Sequence, residues 1–541
     1  MLSKTKGTIL RLILALALWS SLIYIVQIRQ ESWPSLLTCL VLSFYSFIIC
    51  FIDKIARSEL LNKAIAGKSV HLVALLLACW IPFILMAYPG NIRFNDTNFQ
   101  INQFFGNPME NIFSSLPGYR ITDHHPIFDT IVFGLFIKMG LLFFSSATIG
   151  WFIYVLFQSV LMSSAICFGL KEFDQMASNH ILVNILLIVF AFIPFFPFSA
   201  MSMAKDMLSV PFLLLIFTLL LNPTKLVRSK KRFLAFCIAS VLLVLTKKTG
   251  LHLVIFTVII LTVVDKRFRI IGPTTLLVAL VTSRFVINAV LISSLNVSPG
   301  SKIEALAVPI QQVSRVVVDY GPNALNEWEY SAVDELIGVD TIPERFQENT
   351  SDGVKGIGSD PNVNYYPESS QLINFIKAYL SIGLRYPMAY VKAYVDLEAG
   401  WFTLNASCSW FGMLYDNEIP IQPPNGAFAI IRPEALRPLC RAVASSWTAL
   451  SEHILLKPLF QLSIYTTWIP LACVLLTLKH RIRELLAPMV LLLGSFGLLM
   501  LSPVSTYNES VRYALPFIFM TPLLFLIVLN LTMSRKGQKG R

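Results

Sequence analysis

Thirteen apolar runs set the rhythm of this chain, near residues 9–28, 34–53, 69–88, 127–144, 149–169, 181–200, 207–221, 233–246, 250–264, 270–292, 458–478, 485–501 and 513–532. A helix needs about 20 apolar residues to cross the hydrocarbon core of a bilayer. Most of the runs approach that length, so the pattern predicts an all-α polytopic membrane protein. Between the runs, polar residues gather in short basic turns and in two longer connections, 88–126 and 293–457. Composition agrees, with 55% of residues hydrophobic, 14% charged and a mean hydropathy of +0.67.

The net charge of +12 is unevenly spread. Residues 293–457 hold 18 acids and 11 bases, a balance of −7, while the remainder, with 13 acids and 32 bases, stands at +19. The bases cluster in short turns: Lys4/Lys6/Arg11, Lys54/Arg57/Lys63/Lys68, Lys225–Arg232, Lys266–Arg269, Lys479–Arg483 and the tail from Arg535. Cytoplasmic loops are enriched in this way, so the high pI reflects topology beside anionic lipid rather than nucleic-acid binding. Placing these turns inside fixes the parity of crossings everywhere but one place. Four runs separate Pro126 from the basic turn at 225–232, where an odd number is needed. The run at 127–144 carries Asp129 and Lys138 and continues the polar loop, so it is expected to lie at the surface.

The expectation is thus about 12 transmembrane helices plus an interfacial helix and a large external loop region, with both termini cytoplasmic. Three parts follow: 1–292, an N-terminal transmembrane module whose first external loop is 89–148; 293–457, an external soluble or interfacial region; and 458–541, C-terminal transmembrane helices with a basic cytoplasmic tail. The first run lacks a small-residue cleavage site and is expected to remain as a helix rather than act as a signal peptide. Within 293–457, residues 319–364 read as loop with short elements. Leu372, Phe375, Ile376, Tyr379, Leu380 and Leu384 recur at helical spacing and predict a surface helix. Trp401, Phe402, Trp410, Phe411 and Tyr415 suit either the headgroup level or a sugar- or lipid-binding surface. Of eight cysteines, only Cys408 and Cys440 lie in the long polar region. They could pair in an oxidising compartment, and no CxxC points to zinc or redox chemistry.

Four polar clusters fall on the expected external side. Asp96, followed by Gln100 and Gln103, could serve as a general base on a hydroxyl or simply cap a helix. Asp123-His124-His125-Pro126 closes the loop. Adjacent histidines diverge on a helix, so one metal between them is awkward, whereas a phosphate contact or tuning of Asp96 is not; the plain alternative is a loop ended by a helix-starting proline. Lys205-Asp206 opens a run, where helix amide groups and a cation favour an anion. Arg512-Tyr513 opens the last run, and an arginine on that side breaks the charge bias; guanidinium suits phosphate. Arg284, within an apolar run, needs a partner. No P-loop, GxSxG, HExxH or GxGxxG stands in a fitting context, so nucleotide-driven chemistry has no support. No cofactor is dictated, and a divalent metal is left open.

Taken in order, Asp96, His125-Pro126, Lys205-Asp206 and Arg512-Tyr513 resemble the GT-C superfamily of integral-membrane glycosyltransferases. That pattern is an Asp in the first external loop, a His-Pro opening a surface helix, a second acidic turn and a C-terminal Arg or Arg-Tyr. The wording from Tyr88-Pro89-Gly90 to Pro126 looks closest to a bacterial branch. The resemblance implies a plasma-membrane enzyme moving a sugar from a polyprenyl-phosphate donor to a glycan or lipid acceptor of the cell envelope, with inversion. It casts Asp96, Asp206 and His125 as catalytic, and Lys205, Arg512, Tyr513, His124, Asp123, Gln100 and Gln103 as binding substrate or phosphate. Asn95-Asp96 departs from relatives with two acids there, which weakens a metal-dependent reading. Rival readings are a surface-polysaccharide polymerase or ligase, a lipid-linked sugar flippase or transporter, and a membrane scaffold.

Overall fold

The computed structural model describes residues 11–16, 18–20, 36–91, 95–107, 119, 121–356, 360–404, 419–421, 427–441, 443, 451, 453, 457–506 and 510–539. Apolar helices dominate: α1 (Leu36–Ala56), α2 (Ser69–Met86), the short polar α3 (Asn95–Phe104), α4 (Ile127–Phe144), α5 (Ala147–Met176), α6 (His180–Phe192) and α7 (Lys205–Leu220). They are followed by α8 (Lys230–Thr246), α9 (Gly250–Val264) and α10 (Phe268–Ile292), the last turning π-helical from Thr282. After the polar region come α15 (Ile464–Lys479), α16 (Leu486–Leu499) and α17 (Val511–Lys539). Among the described residues, five helices are long and apolar enough to cross a membrane: α2, α4, α5, α10 and Val511–Arg535 within α17. This is the make-up of an integral membrane protein. Helices α6, α15 and α16 are shorter than the runs that foretold them, because those runs include capping and turn residues that the helices leave out, whereas α1, α7, α8 and α9 match or exceed theirs.

Contacts sort the helix ends into two sets. At one end, Asn184 bonds the Ala56 carbonyl at 2.7 Å, Asn530 accepts from the Ser178 amide at 3.1 Å, and Arg535 reaches the His480 carbonyl at 2.7 Å. The basic turns lie here, with Arg232 on Glu172 and Arg267 on Thr224 at 2.9 Å. At the other end, Asn91 meets Ser202 at 3.0 Å, Lys247 meets Asp206 at 2.9 Å, and two-residue strands β1 (Ile121–Thr122) and β2 (Val297–Ser298) pair in parallel.

Helix α4 begins at this second end. Its start carries His125 beside Asp96, and its far end folds back at Ser145 (φ 51°), so that Gly140 abuts Gly150. Phe133 and Phe136 pack on Tyr154, and Phe136 on Phe157, so α4 covers only the first part of α5. The rest of α5 runs on to Lys171, which bonds the Gly67 carbonyl at the basic end. Small residues allow the close backbone approach at the α4–α5 hairpin. Asp129, one of the two charges that marked α4 as a surface helix, is fully buried, whereas Lys138 is exposed.

The polar region has its own hydrophobic core, built by α11 (Ala307–Tyr320), α12 (Glu327–Ile337), α13 (Ser369–Arg385) and α14 (Pro387–Glu398). Here the loop expected over 319–364 is corrected: α12 lies within it. An Asn326/Glu329 capping box starts that helix, and Ala332, Val333, Leu336 and Ile337 bury its inner face despite the surrounding acids. A hairpin of β3 (Ile419–Ile421) and β4 (Phe428–Ile430) follows. Trp401 is a core residue rather than an interface anchor, its indole donating to Glu398 at 2.7 Å and Ser502 at 3.2 Å. Trp410, Phe411, Tyr415 and Cys408 lie outside the described residues. Cys440 is buried, its sulfur 3.3 Å from the Met86 carbonyl. Arg284 is exposed on α10.

Candidate functional site

Asp96 sits in the first turn of α3, which is fastened by Thr97 to the Met203 carbonyl at 2.5 Å, just before α7 begins. The fastening brings the first residue of α7, Lys205, within 3.0 Å of the Asp96 carboxylate. Arg512, near the start of α17, pairs with the same oxygen and donates to the Tyr513 hydroxyl at 2.9 Å. His125, just before α4, places Nε2 3.8 Å from the other Asp96 oxygen and Nδ1 3.1 Å from the Lys205 ammonium. An ammonium only donates, so Nδ1 must accept and the imidazole is neutral, with its proton on Nε2 facing Asp96. Four segments scattered between residues 96 and 512 thus meet at one carboxylate.

Burial alone would lift the Asp96 carboxyl. The Lys205 ammonium, the Arg512 guanidinium and His125 outweigh it and hold the group well below the usual carboxylate range. Burial and then the Lys205 charge push His125 well below the ordinary imidazole value. His124 is pushed down to about 3, by burial first, with Lys205 and Lys248 opposing the help of Glu304 and Asp96. Both rings are therefore neutral at physiological pH and can offer hydrogen bonds rather than charge.

Beside this cluster lies a cavity of about 240 Å³. Its polar wall holds His124, Lys205, Asp206, Thr246, Lys247, Lys248, Thr249 and Tyr513. Its apolar wall holds Leu213, Leu253, Leu498, Leu499, Leu501, Pro516 and Phe517. Lys247 binds Asp206 at 2.9 Å, and Lys248 lies 3.4 Å from the Asp123 carboxylate and also meets the Asp123 carbonyl. Lys205, Lys247, Lys248 and Arg512 thus face Asp96, Asp206 and Asp123. Four cations against three carboxylates leave a positive excess beside an apolar slot, which suits an amphiphile with an anionic head.

Asp96, His124, His125, Lys205, Asp206, Arg512 and Tyr513 lie together, with Asp123 one residue away behind Lys248. Gln100 and Gln103 are not part of the cavity. Both are buried beneath α3, Gln100 donating to Thr130 of α4 at 3.2 Å, so they seat the helix that carries Asp96. Sequence reasoning missed Lys247 and Lys248, although a basic pair on the side depleted of bases is the same signal that marked Arg512. It also missed Glu304 and Lys355, a 2.6 Å pair from the polar region whose charges reach His124 and Tyr513. Asp129 lies beneath the site with neither carboxylate oxygen hydrogen-bonded among the described residues, and Asp206, Lys205 and Lys247 are its charged neighbours.

Among the described residues, no three His, Cys, Asp or Glu side chains gather at metal-binding distance. No curated protein and no solved structure matches the chain. One family does, over residues 56–541, and the chain belongs to it: DUF6020, a family of unknown function.

Proposed function

We propose that this protein is a GT-C-type glycosyltransferase that moves a sugar from a polyprenyl phosphate to a hydroxyl of a cell-envelope glycan or lipid. In this reading about 12 helices cross a bacterial plasma membrane, the basic turns and both termini face the cytoplasm, and α4 stays in the outer interface. The observation that carries the reading is the meeting of Asp96, Lys205 and Arg512 beside a mostly apolar cavity with one cationic wall.

The donor phosphate would lie against Lys205, Lys247 and Lys248, with its prenyl chain along Leu213, Leu253 and Phe517. The acceptor oxygen attacks the anomeric carbon, the bond from that carbon to the phosphate oxygen breaks, and its electron pair stays on the phosphate. The acceptor proton passes to Asp96. With Lys205 and Arg512 crowding it, Asp96 holds a proton poorly. A bound phosphate competes for both cations, and each weakened contact at about 3–4 Å restores on the order of a few kcal/mol of proton affinity. The same cations then stabilise the leaving phosphate, a preorganised contribution.

The test is transfer of radiolabelled sugar from polyprenyl-phosphate donors in membranes holding wild type or Asp96→Asn at equal protein level. Loss of transfer in the variant supports the proposal. Undiminished transfer removes Asp96 from the chemistry, and no transfer from any donor by wild type overturns the lipid-linked-sugar reading.

A further inference from the structure

The α13–α14 hairpin of the polar region has two faces. Phe375, Ala378 and Ile382 point inward and are buried in that region's own core. A helix on a water-exposed domain would carry polar residues on the opposite face. Here the outward positions are Ile373, Ile376, Leu380 and Leu384 on α13, continued by Met388, Val391 and Val395 on α14, all exposed. Leu384 is 86% exposed and Met388 72%, at the very turn of the hairpin. The charged residues interspersed along these two stripes, between 373 and 384 and between 388 and 395, are Lys377 and Lys392, with no acid among them. Seven large apolar side chains in one stripe is more than scattered surface exposure.

The stripe is also continuous with the apolar flank of the helix bundle. Tyr394 of α14 donates to the Met500 carbonyl at 3.1 Å. Beyond α14, exposed Phe402 packs edge-on against Phe496, and the Trp468 indole donates to its carbonyl at 2.9 Å. From there Leu471, Leu475, Leu478 and Leu493 carry the exposed apolar surface down α15 and α16. Those helices belong to the bundle, and their exposed apolar flank is the part that meets lipid tails.

We propose that the α13–α14 hairpin is seated in the bilayer, at the boundary of headgroups and acyl chains on the Asp96 side. Its apolar stripe enters the acyl region, and Lys377 extends to lipid phosphates, as does Lys392 once it leaves Asp319, 3.9 Å away. An apolar face flanked by lysines is how interfacial helices bind, and long lysine stems let the ammonium reach the headgroups. The seat holds whatever reaction the site performs. It has a structural consequence, because α14 is tied to residues 500–505, whose neighbours Leu501 and Ser502 line the cavity.

The experiment places a photoreactive benzophenone amino acid at Leu384, at Met388 or at the exposed acid Glu344, in the full chain reconstituted in nanodiscs of phosphatidylethanolamine and phosphatidylglycerol. Irradiation followed by mass spectrometry should find lipid adducts at 384 and 388, at least several-fold above those at 344. Lipid adducts no more frequent than at 344 would put the hairpin in water and overturn the proposal. Cross-linked dimers, or cross-links to another polypeptide in place of lipid, would overturn it too, by showing a protein contact on the stripe.

Discussion

Two buried charge clusters in this molecule look alike at first and differ in kind. In the polar region Arg315, with a side chain only 2% exposed, is held by Glu348 at 2.9 Å, Asp396 at 3.0 Å and Asp319 at 3.2 Å. Three carboxylates surround Arg315, with Lys392 a more distant 3.9 Å from Asp319; each carboxylate keeps some contact with water, and Phe346 stacks on the guanidinium. At the end of the bundle the proportion is reversed: four cations share three carboxylates, and open space adjoins them. The first cluster is closed and ties α11 to α14. The second has charge left over and room for a partner, so the pairing there is provisional. A buried ion pair is by itself weak evidence for either role. The sign of the surplus and the adjoining cavity decide it.

The largest effect expected from breaking this contrast is on chemistry. Asp96→Asn keeps the shape but removes the charge and the proton acceptor, and should lower the transfer rate by about 10²–10⁴-fold, the usual range for a lost general base. The assay is the donor-transfer measurement above, with folding checked by thermal melting in detergent. Next comes Lys247→Met, which should raise donor KM and also expose the provisional character of the pairing. It leaves Asp206 buried without its partner, a loss of about 3–5 kcal/mol where the carboxylate cannot relax. Adding Asp206→Asn should restore the melting temperature yet leave donor KM high. If the double variant recovered normal donor KM, Lys247 would be a structural partner only.

Arg315→Met is the matching cut in the closed cluster. Its three carboxylates can turn toward water, so the loss is smaller, about 1–3 kcal/mol. Transfer per folded molecule should stay near the wild-type rate. A drop in turnover with intact folding would mean that the polar region acts on the site through Arg315, which would erase the distinction between the clusters.

How much of this was legible beforehand varies residue by residue. Charge bias and parity placed Asp96, His125, Lys205 and Arg512 on one side, but their meeting at a single carboxylate is a tertiary fact. Lys247-Lys248 escaped because a basic doublet between two apolar runs looks like any cytoplasmic turn, and only the count of crossings puts it beside Asp206. Gln100 and Gln103 share the Asp96 face by helical period, but which neighbour that face meets is a tertiary fact, and Thr130 of α4 is not visible from α3. Helix α12 was hidden by its acids: Glu327, Asp334 and Glu335 are exposed and Glu329 is buried on Arg385, and all four dilute the apolar signal. Glu398 gave no signal at all, reading as one more acid in an acidic region.

That residue supplies the sharpest use of pH. Glu398 is buried at the seam where α14 meets residues 502–505, with one oxygen receiving Trp401 and Ser502 and the other without a hydrogen-bond partner among the described residues. Burial pushes its carboxyl up to about 8 from an ordinary 4.5, against the opposing pull of those two hydrogen bonds. A raised folded-state value means that the folded protein keeps this proton after the unfolded chain has released it. The stabilising contribution is full below about 4.5 and is lost as pH rises through about 8. Glu398→Gln, neutral at every pH, should remove this component. The melting temperature of the wild type relative to the variant should therefore fall as pH rises from about 4.5 to about 8 and level off above that. Parallel melting curves across that window would mean that Glu398 is already ionised in the folded protein, and the seam would then join Arg315 as a site of charge rather than of a held proton.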